Sequence, residues 1–122
     1  MAAGQGEYDL ACFEAEQAAA QLALKPLLYE LLGSAPRIHD LGEFLGLLHR
    51  ALEEGGLEGP AGLLVDLVRG RRRDTWLLSD SYYRGRYGCV DYTADEADRC
   101  IGAAREVLRL VEEVRRALEE EA

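Results

Sequence analysis

Arginines and aromatic residues concentrate between Arg69 and Tyr92. Arg69, Arg71, Arg72, Arg73, Arg84 and Arg86 are interleaved there with Trp76, Tyr82, Tyr83, Tyr87 and Tyr92. Set against Asp74, Asp80 and Asp91, these six arginines leave the stretch at +3 inside a chain of net charge −9, so the remaining residues carry −12. A guanidinium is a rigid fork of donors that matches phosphate oxygens. A ring beside it offers a face for a base, or a cation–π contact worth about 0.5–2 kcal/mol. The chemistry this pattern supports is recognition of a phosphate-bearing or acidic partner. The plain alternative for Arg71-Arg72-Arg73 is a solvated helix face, and for Arg86 and Tyr87 a loop packed on the end of the fold.

Other constellations are weaker. His39 and His49 are the only histidines. His39 and Glu43 stand one turn apart without a third ligand at useful spacing, so no metal site is expected. Cys12, Cys89 and Cys100 show no metal or redox spacing. Cys12 and Cys100 read as small core residues on helices. No glycine-rich phosphate loop with its lysine is present, and no Ser–His–Asp arrangement follows from the spacing. No cofactor is expected other than a nucleotide ligand.

The elements that must position these residues read as helices. β-branched residues are few, and no alternating segment is long enough for a strand. A first helix is predicted from about Glu7 to Leu32, with Leu10, Phe13, Gln17, Leu24, Leu28 and Leu31 near helical spacing and a kink between Leu22 and Pro26. A second begins around His39 or Asp40, with Asp40 and Glu43 as a capping box. It buries Leu41, Phe44, Leu45, Leu48 and Leu52, and stops at Gly55-Gly56. A third is predicted from Pro60 to about Tyr83 despite Gly70, with Arg69, Arg72, Arg73, Trp76, Asp80 and Tyr83 sharing one face. Gly85 and Gly88 then break the chain into a loop. Thr93-Ala-Asp-Glu96 is a capping box for the last helix, whose stripe is Ala97, Ile101, Ala104, Leu108, Val111, Val114 and Leu118. Pairs such as Asp95/Arg99, Arg109/Glu113, Glu112/Arg116 and Arg116/Glu120 are expected on its outer side. Four amphipathic helices on short links predict an all-α fold, an up-down antiparallel four-helix bundle.

The totals are consistent with one domain over residues 1–122. Hydrophobic residues at 48% and charged residues at 30% are globular proportions. The acidity argues against wholesale wrapping of nucleic acid and confines any such contact to a patch. The N-terminal residues lack the basic and apolar regions of a signal peptide, and no apolar run approaches the roughly 18 residues of a membrane span, so a cytoplasmic protein is expected.

Three segments carry a family resemblance over about Asp9 to Leu118. They are Ala11-Cys12-Phe13-Glu14-Ala15-Glu16-Gln17-Ala18-Ala19 with Lys25 downstream, Arg37-Ile38-His39-Asp40-Leu41, and Tyr82-Tyr83-Arg84-Gly85-Arg86-Tyr87 leading to Tyr92-Thr93-Ala94-Asp95-Glu96. In order and spacing they resemble the HEPN domain (higher eukaryotes and prokaryotes nucleotide-binding), in its small stand-alone prokaryotic form. Gly88-Cys89-Val90 stands where the family usually has proline after the Arg-Tyr pair.

The resemblance implies a homodimer, or a subunit beside a small nucleotidyltransferase in a toxin–antitoxin-type module. It also implies binding of RNA or a nucleotide. Ribonuclease members carry Arg, four to six residues, then His, which moves a proton from the 2′-hydroxyl while Arg holds the phosphate. Here Asp91, not His, follows Arg86 at that spacing, so no catalytic residue is assigned and a non-catalytic binding partner is expected. The residues assigned to nucleotide or RNA are Arg72, Arg73, Arg84 and Arg86 for phosphate, and Tyr83 and Tyr87 for base or ring contacts. The alternatives are a ribonuclease with a degenerate motif, using Arg84 or Arg86 with Asp91, and a structural dimer whose arginines hold an acidic protein. Tyr82 and Tyr92 are weaker candidates for acceptors of a nucleotidyl group.

Overall fold

The protein was analysed as a computed structural model, which describes residues 3–34, 37, 40–87 and 92–121, the side chains of 3–6 and 84–87 excepted. The first rod comprises α1 (Ala3–Glu16), a π-helical segment (Gln17–Leu24) and α2 (Lys25–Leu32), with helical backbone angles through both junctions. Pro26 is the cause of the wide segment. It has no N–H to give the carbonyl four residues back, and its ring crowds that carbonyl. The backbone widens instead, and Lys25 N–H reaches the Ala20 carbonyl five residues back. The predicted kink is therefore spread over eight residues as a change of helix type. Gly33 ends the rod in the left-handed region, φ 79°, with its N–H on the Tyr29 carbonyl at 2.9 Å.

α3 (Leu41–Glu54) starts where the sequence places it. Asp40 is extended, and its carboxylate accepts from the Glu43 N–H at 3.2 Å. All five residues of the predicted stripe are buried. Gly56, at φ 73°, completes the turn out of the helix.

The third predicted helix is two helices. α4 (Glu58–Gly70) ends at Arg71, whose φ −128° and ψ 36° leave the helical region, and α5 (Arg72–Tyr87) follows at once. Gly70 is the weak point, since glycine costs about 1 kcal/mol against alanine in a helix. Thr75 secures the restart by donating from Oγ1 to the carbonyls of Arg71 and Arg72, both at 3.0 Å. α5 also runs four residues beyond Tyr83, through Gly85 to Tyr87, where a loop was expected. The loop itself, including Cys89 and Asp91, lies outside the described residues.

α6 (Ala94–Glu121) opens on the reciprocal capping box read from the sequence: Glu96 N–H to Thr93 Oγ1 at 3.1 Å, and Thr93 N–H to Glu96 Oε1 at 3.0 Å. Its buried face is centred on Ala97, Cys100, Ala104, Val107, Val111 and Val114. Ile101, Leu108 and Leu118 lie at its margin. Asp95 pairs with Arg99 at 2.9 Å as expected. Further along, the pairs are Arg109 with Glu106 and Arg116 with Glu113, three residues apart instead of four.

The protein is all-helical, with no strand among the described residues. α1, α5 and α6 pack on one another, the π segment and α4 lie along α6, and α3 touches α2, α4 and α5. Leu24, Leu27, Leu28, Phe44, Leu48, Leu78, Val107 and Val114 are fully withdrawn from water. Burying each such side chain contributes about 1.5–3 kcal/mol before entropy is counted. Among the described residues no helix is long and apolar enough to cross a membrane.

Candidate functional site

The contact of α3 with α4 and α5 leaves a groove of about 630 Å³. Leu45 and Gly46 of α3, and Leu64, Val65 and Val68 of α4, form its apolar wall. α5 lines the other side with Arg72, Thr75, Trp76, Ser79, Asp80 and Tyr83, the face that helical spacing generates from positions three and four apart. Arg69 adds a second guanidinium from the end of α4, and Asp40 and His49 enter from α3. Trp76 is 59% exposed, a large ring left in water beside an apolar wall.

The arginine run does not act as one patch. Arg69 and Arg72 line the groove, and neither has an ion-pair partner among the described residues. Arg71 turns toward α6: its Nη1 meets Asp74 Oδ2 of α5 at 3.2 Å and covers Gly102 of α6 so closely that a Cβ there would lie 2.7 Å from it. Arg99 completes that ion cluster through Asp74 Oδ1 at 3.2 Å. Arg73 is exposed and is not part of the groove lining. The single predicted face of Arg69, Arg72, Arg73, Trp76, Asp80 and Tyr83 is thus divided, with Arg73 alone of the six outside the groove lining.

Tyr83 stands at the other end of the groove. Although Tyr83 is exposed, slight desolvation, the Asp40 and Glu43 carboxylates, and a hydrogen bond to Asp40 all push its ionisation upward, so it stays a donor. Tyr82 packs edge-on against it, with ring centroids 5.3 Å apart. The side chains of Arg84, Arg86 and Tyr87, and all of His39 and Asp91, lie outside the described residues. Their assigned roles therefore gain no geometry here.

Tyr92 is a structural bolt instead of an exposed acceptor. It is buried, its hydroxyl lies 3.3 Å from Asp80 Oδ2, and its N–H donates to Asp9 Oδ1 at 2.7 Å. Burial, with the Asp80 charge next, pushes its ionisation far up. Tyr82 is half-buried, and its ring is committed to Tyr83. Cys12 and Cys100 are fully buried as predicted. A hydrogen bond to Cys12 and burial both raise the Cys100 thiol, which suits a core residue and not a nucleophile.

Sequence reasoning missed Glu16. Its side chain is fully buried where α1 meets the π segment, and its oxygens accept from Gln17 Nε2 at 3.0 Å and Gln21 Nε2 at 3.2 Å. Burial raises its carboxyl from the ordinary 4.5 to about 7, the two glutamines oppose that rise, and the nearby Asp40 charge adds to it. The available signal was the two glutamines one and five residues on, which can hold a carboxylate in a helical interior.

The fold and the groove define a small helical domain with a cleft that is cationic at one end, aromatic in the middle and acidic at the other. The chain belongs to the HEPN domain family, which it matches over residues 2–114. Comparison with curated proteins and with solved structures gave no match. Membership of this family points to a nucleotide- or RNA-related function.

Proposed function

We propose that the protein binds RNA or a nucleotide in the α3/α4/α5 groove without cleaving it, as the non-catalytic partner of a small nucleotidyltransferase in a toxin–antitoxin-type module. The observation that carries the reading is Arg69 and Arg72, lacking ion-pair partners among the described residues, beside the exposed Trp76. In a chain of net charge −9, two uncompensated guanidiniums beside an exposed indole suit a phosphate and a base. The non-cleaving part rests on the sequence, which has no His after Arg86 at the spacing ribonuclease relatives use. The nucleotidyltransferase partner rests on the family resemblance. A homodimer fits the exposed Leu22, Tyr29 and Leu32 along the outside of the first rod.

The test is equilibrium binding of short RNAs and nucleotides to the purified protein at rising salt, with co-purification from native lysate. Binding that weakens steeply with salt, no cleavage of the RNA, and recovery of a small nucleotidyltransferase are the expected results. Salt-independent binding, or none to RNA and nucleotides alike, refutes the binding role. Cleavage lost in Arg86→Ala refutes the non-catalytic one.

A further inference from the structure

The free cations of the groove are gathered in one place. Arg69 and Arg72 are three residues apart, so their Cα atoms lie within about 11 Å of each other, and two long side chains can meet on one anion. His49, the other basic residue among the described residues of the lining, already has Glu53 at 2.8 Å. The carboxylates of the lining are engaged as well. Asp40 accepts from the Glu43 N–H at 3.2 Å and from the Tyr83 hydroxyl, and Asp80 accepts from the Tyr92 hydroxyl at 3.3 Å. The groups left facing a ligand are one pair of guanidiniums, one exposed indole and an aliphatic wall.

Those groups suit one nucleotide and one kind of phosphate. A phosphodiester inside a strand carries a single charge and two non-bridging oxygens. A phosphate monoester carries about −1.5 to −2 at pH 7 and three strong acceptor oxygens. Two guanidiniums, each a fork of donors, balance the monoester and exceed what a diester can use. Trp76 follows Arg72 by four residues on α5, about 6 Å along the helix axis. That reach is comparable to the separation of a nucleotide's phosphate from its own base, so the base can lie on the indole while the phosphate meets the arginines. Leu64, Val65 and Val68, across the groove from α5, can cover the second face of the base. The volume of about 630 Å³ lies within the range of pockets that hold small ligands.

We propose that the groove recognises a terminal phosphate monoester on a single nucleotide, held by Arg69 and Arg72 with the attached base against Trp76, in preference to the internal diesters of a strand. This rests on the groove being a nucleotide site. A free mononucleotide and the phosphorylated end of an RNA share this chemistry.

Trp76 is the only tryptophan in the chain, so its fluorescence reports occupancy directly. The free probes are adenosine 5′-monophosphate and the dinucleoside monophosphate of adenosine, whose one phosphate is a diester. The strand probes are a short RNA of one sequence bearing a 5′-phosphate, a 3′-phosphate, or hydroxyls at both ends. The mononucleotide is expected to quench Trp76 with at least about tenfold tighter binding than the dinucleoside, and a phosphorylated RNA with at least about tenfold tighter binding than its hydroxyl-ended form. A monoester preference seen only with the RNA assigns a strand end as the source, and one seen only with the mononucleotide assigns the free nucleotide.

Arg69→Ala and Arg72→Ala should each weaken monoester binding about tenfold and bring the monoester-to-diester ratio toward one, whereas Arg73→Ala should leave that ratio unchanged. Both groove arginines are exposed, so neither substitution removes core packing. If circular dichroism shows a variant unfolded, the ratios measured on the native protein decide alone. Diester and hydroxyl-ended ligands that bind as tightly as their monoester counterparts, or a monoester preference that survives both arginine variants, overturn this inference and leave the binding role standing. Absence of binding with every nucleotide and RNA overturns both.

Discussion

Glu16→Gln should stabilise the protein, and the gain should grow with pH. In the folded chain the Glu16 carboxyl is fully buried and titrates at about 7, against 4.5 for the ordinary group. Below pH 4.5 both folded and unfolded forms hold the proton, and the site costs nothing. Between 4.5 and 7 the unfolded chain ionises while the folded chain keeps its proton, so stability falls as pH rises. Above 7 the loss is complete. At about 1.36 kcal/mol per unit, the rise amounts to about 3 kcal/mol at most.

Glutamine keeps the shape and cannot ionise. The difference between variant and native protein is therefore expected to rise from under about 1 kcal/mol at pH 5 to about 3 kcal/mol at pH 8, roughly 10 °C in Tm. Urea unfolding followed by far-UV circular dichroism at half-unit pH steps measures it. A difference that is flat from pH 5 to 8 would falsify the reasoning, because it means that water or an unseen donor keeps the carboxylate at its ordinary value. A variant less stable than the native chain at pH 8 would show that ionised Glu16, held by Gln17 and Gln21, is the better-satisfied form.

Arg72→Ala and Arg73→Ala should separate, although they are neighbours: the first, in the groove, should weaken nucleotide or RNA binding about tenfold, while the second should change it less than about twofold, read by Trp76 quenching. Equal effects would move the site to the outer face of α5. Thr93→Ala removes the acceptor for the Glu96 N–H and should cost about 1 kcal/mol in denaturant unfolding, with no effect on ligand affinity. Tyr92→Phe removes the buried hydroxyl that lies against the half-buried Asp80 and should cost about 1–2 kcal/mol. Incubation of native protein with a nucleotidyltransferase and ATP should leave Tyr92 unmodified by mass spectrometry, and an adduct at that residue would show that the α5/α6 packing opens.

Much of the fold was legible because its signals are local. The Thr93/Glu96 box, the Asp40 cap and the Leu41-to-Leu52 stripe each depend on residues within a turn or two, and each stands in the structure as the sequence indicates. The first rod was read less well. Leu10 was placed on the buried stripe and is 54% exposed, while Cys12, Glu16 and Ala20 form the inward face. Past Gln17 the spacing holds, with Leu24 and Leu28 fully buried; the difference lies before it, where a charged side chain gives no sign that Glu16 faces the core. The form of the Pro26 distortion could not be read either, since a kink, a break and a π segment all relieve the same missing N–H.

The candidate site depends on a single backbone event that composition does not reveal. A continuous helix from Pro60 to Tyr83 would put Arg69, Arg72, Arg73 and Trp76 together on one solvated ridge. The non-helical angles at Arg71 interrupt that ridge. They swing Arg71 onto Gly102 and Asp74, which ties the junction to α6, and they leave Arg69 and Arg72 facing α3 across a groove. Gly102 leaves room for this arrangement, since a Cβ there would lie 2.7 Å from Arg71 Nη1 and the end of the guanidinium would have to shift. The arginine run thus divides by function as well as direction. Arg71 neutralises Asp74 and fixes the helix junction, Arg73 faces solvent, and Arg69 and Arg72 hold charge that nothing among the described residues balances. A cation pair that the fold leaves uncompensated next to an exposed indole is the part of the stretch with a reason to meet a ligand.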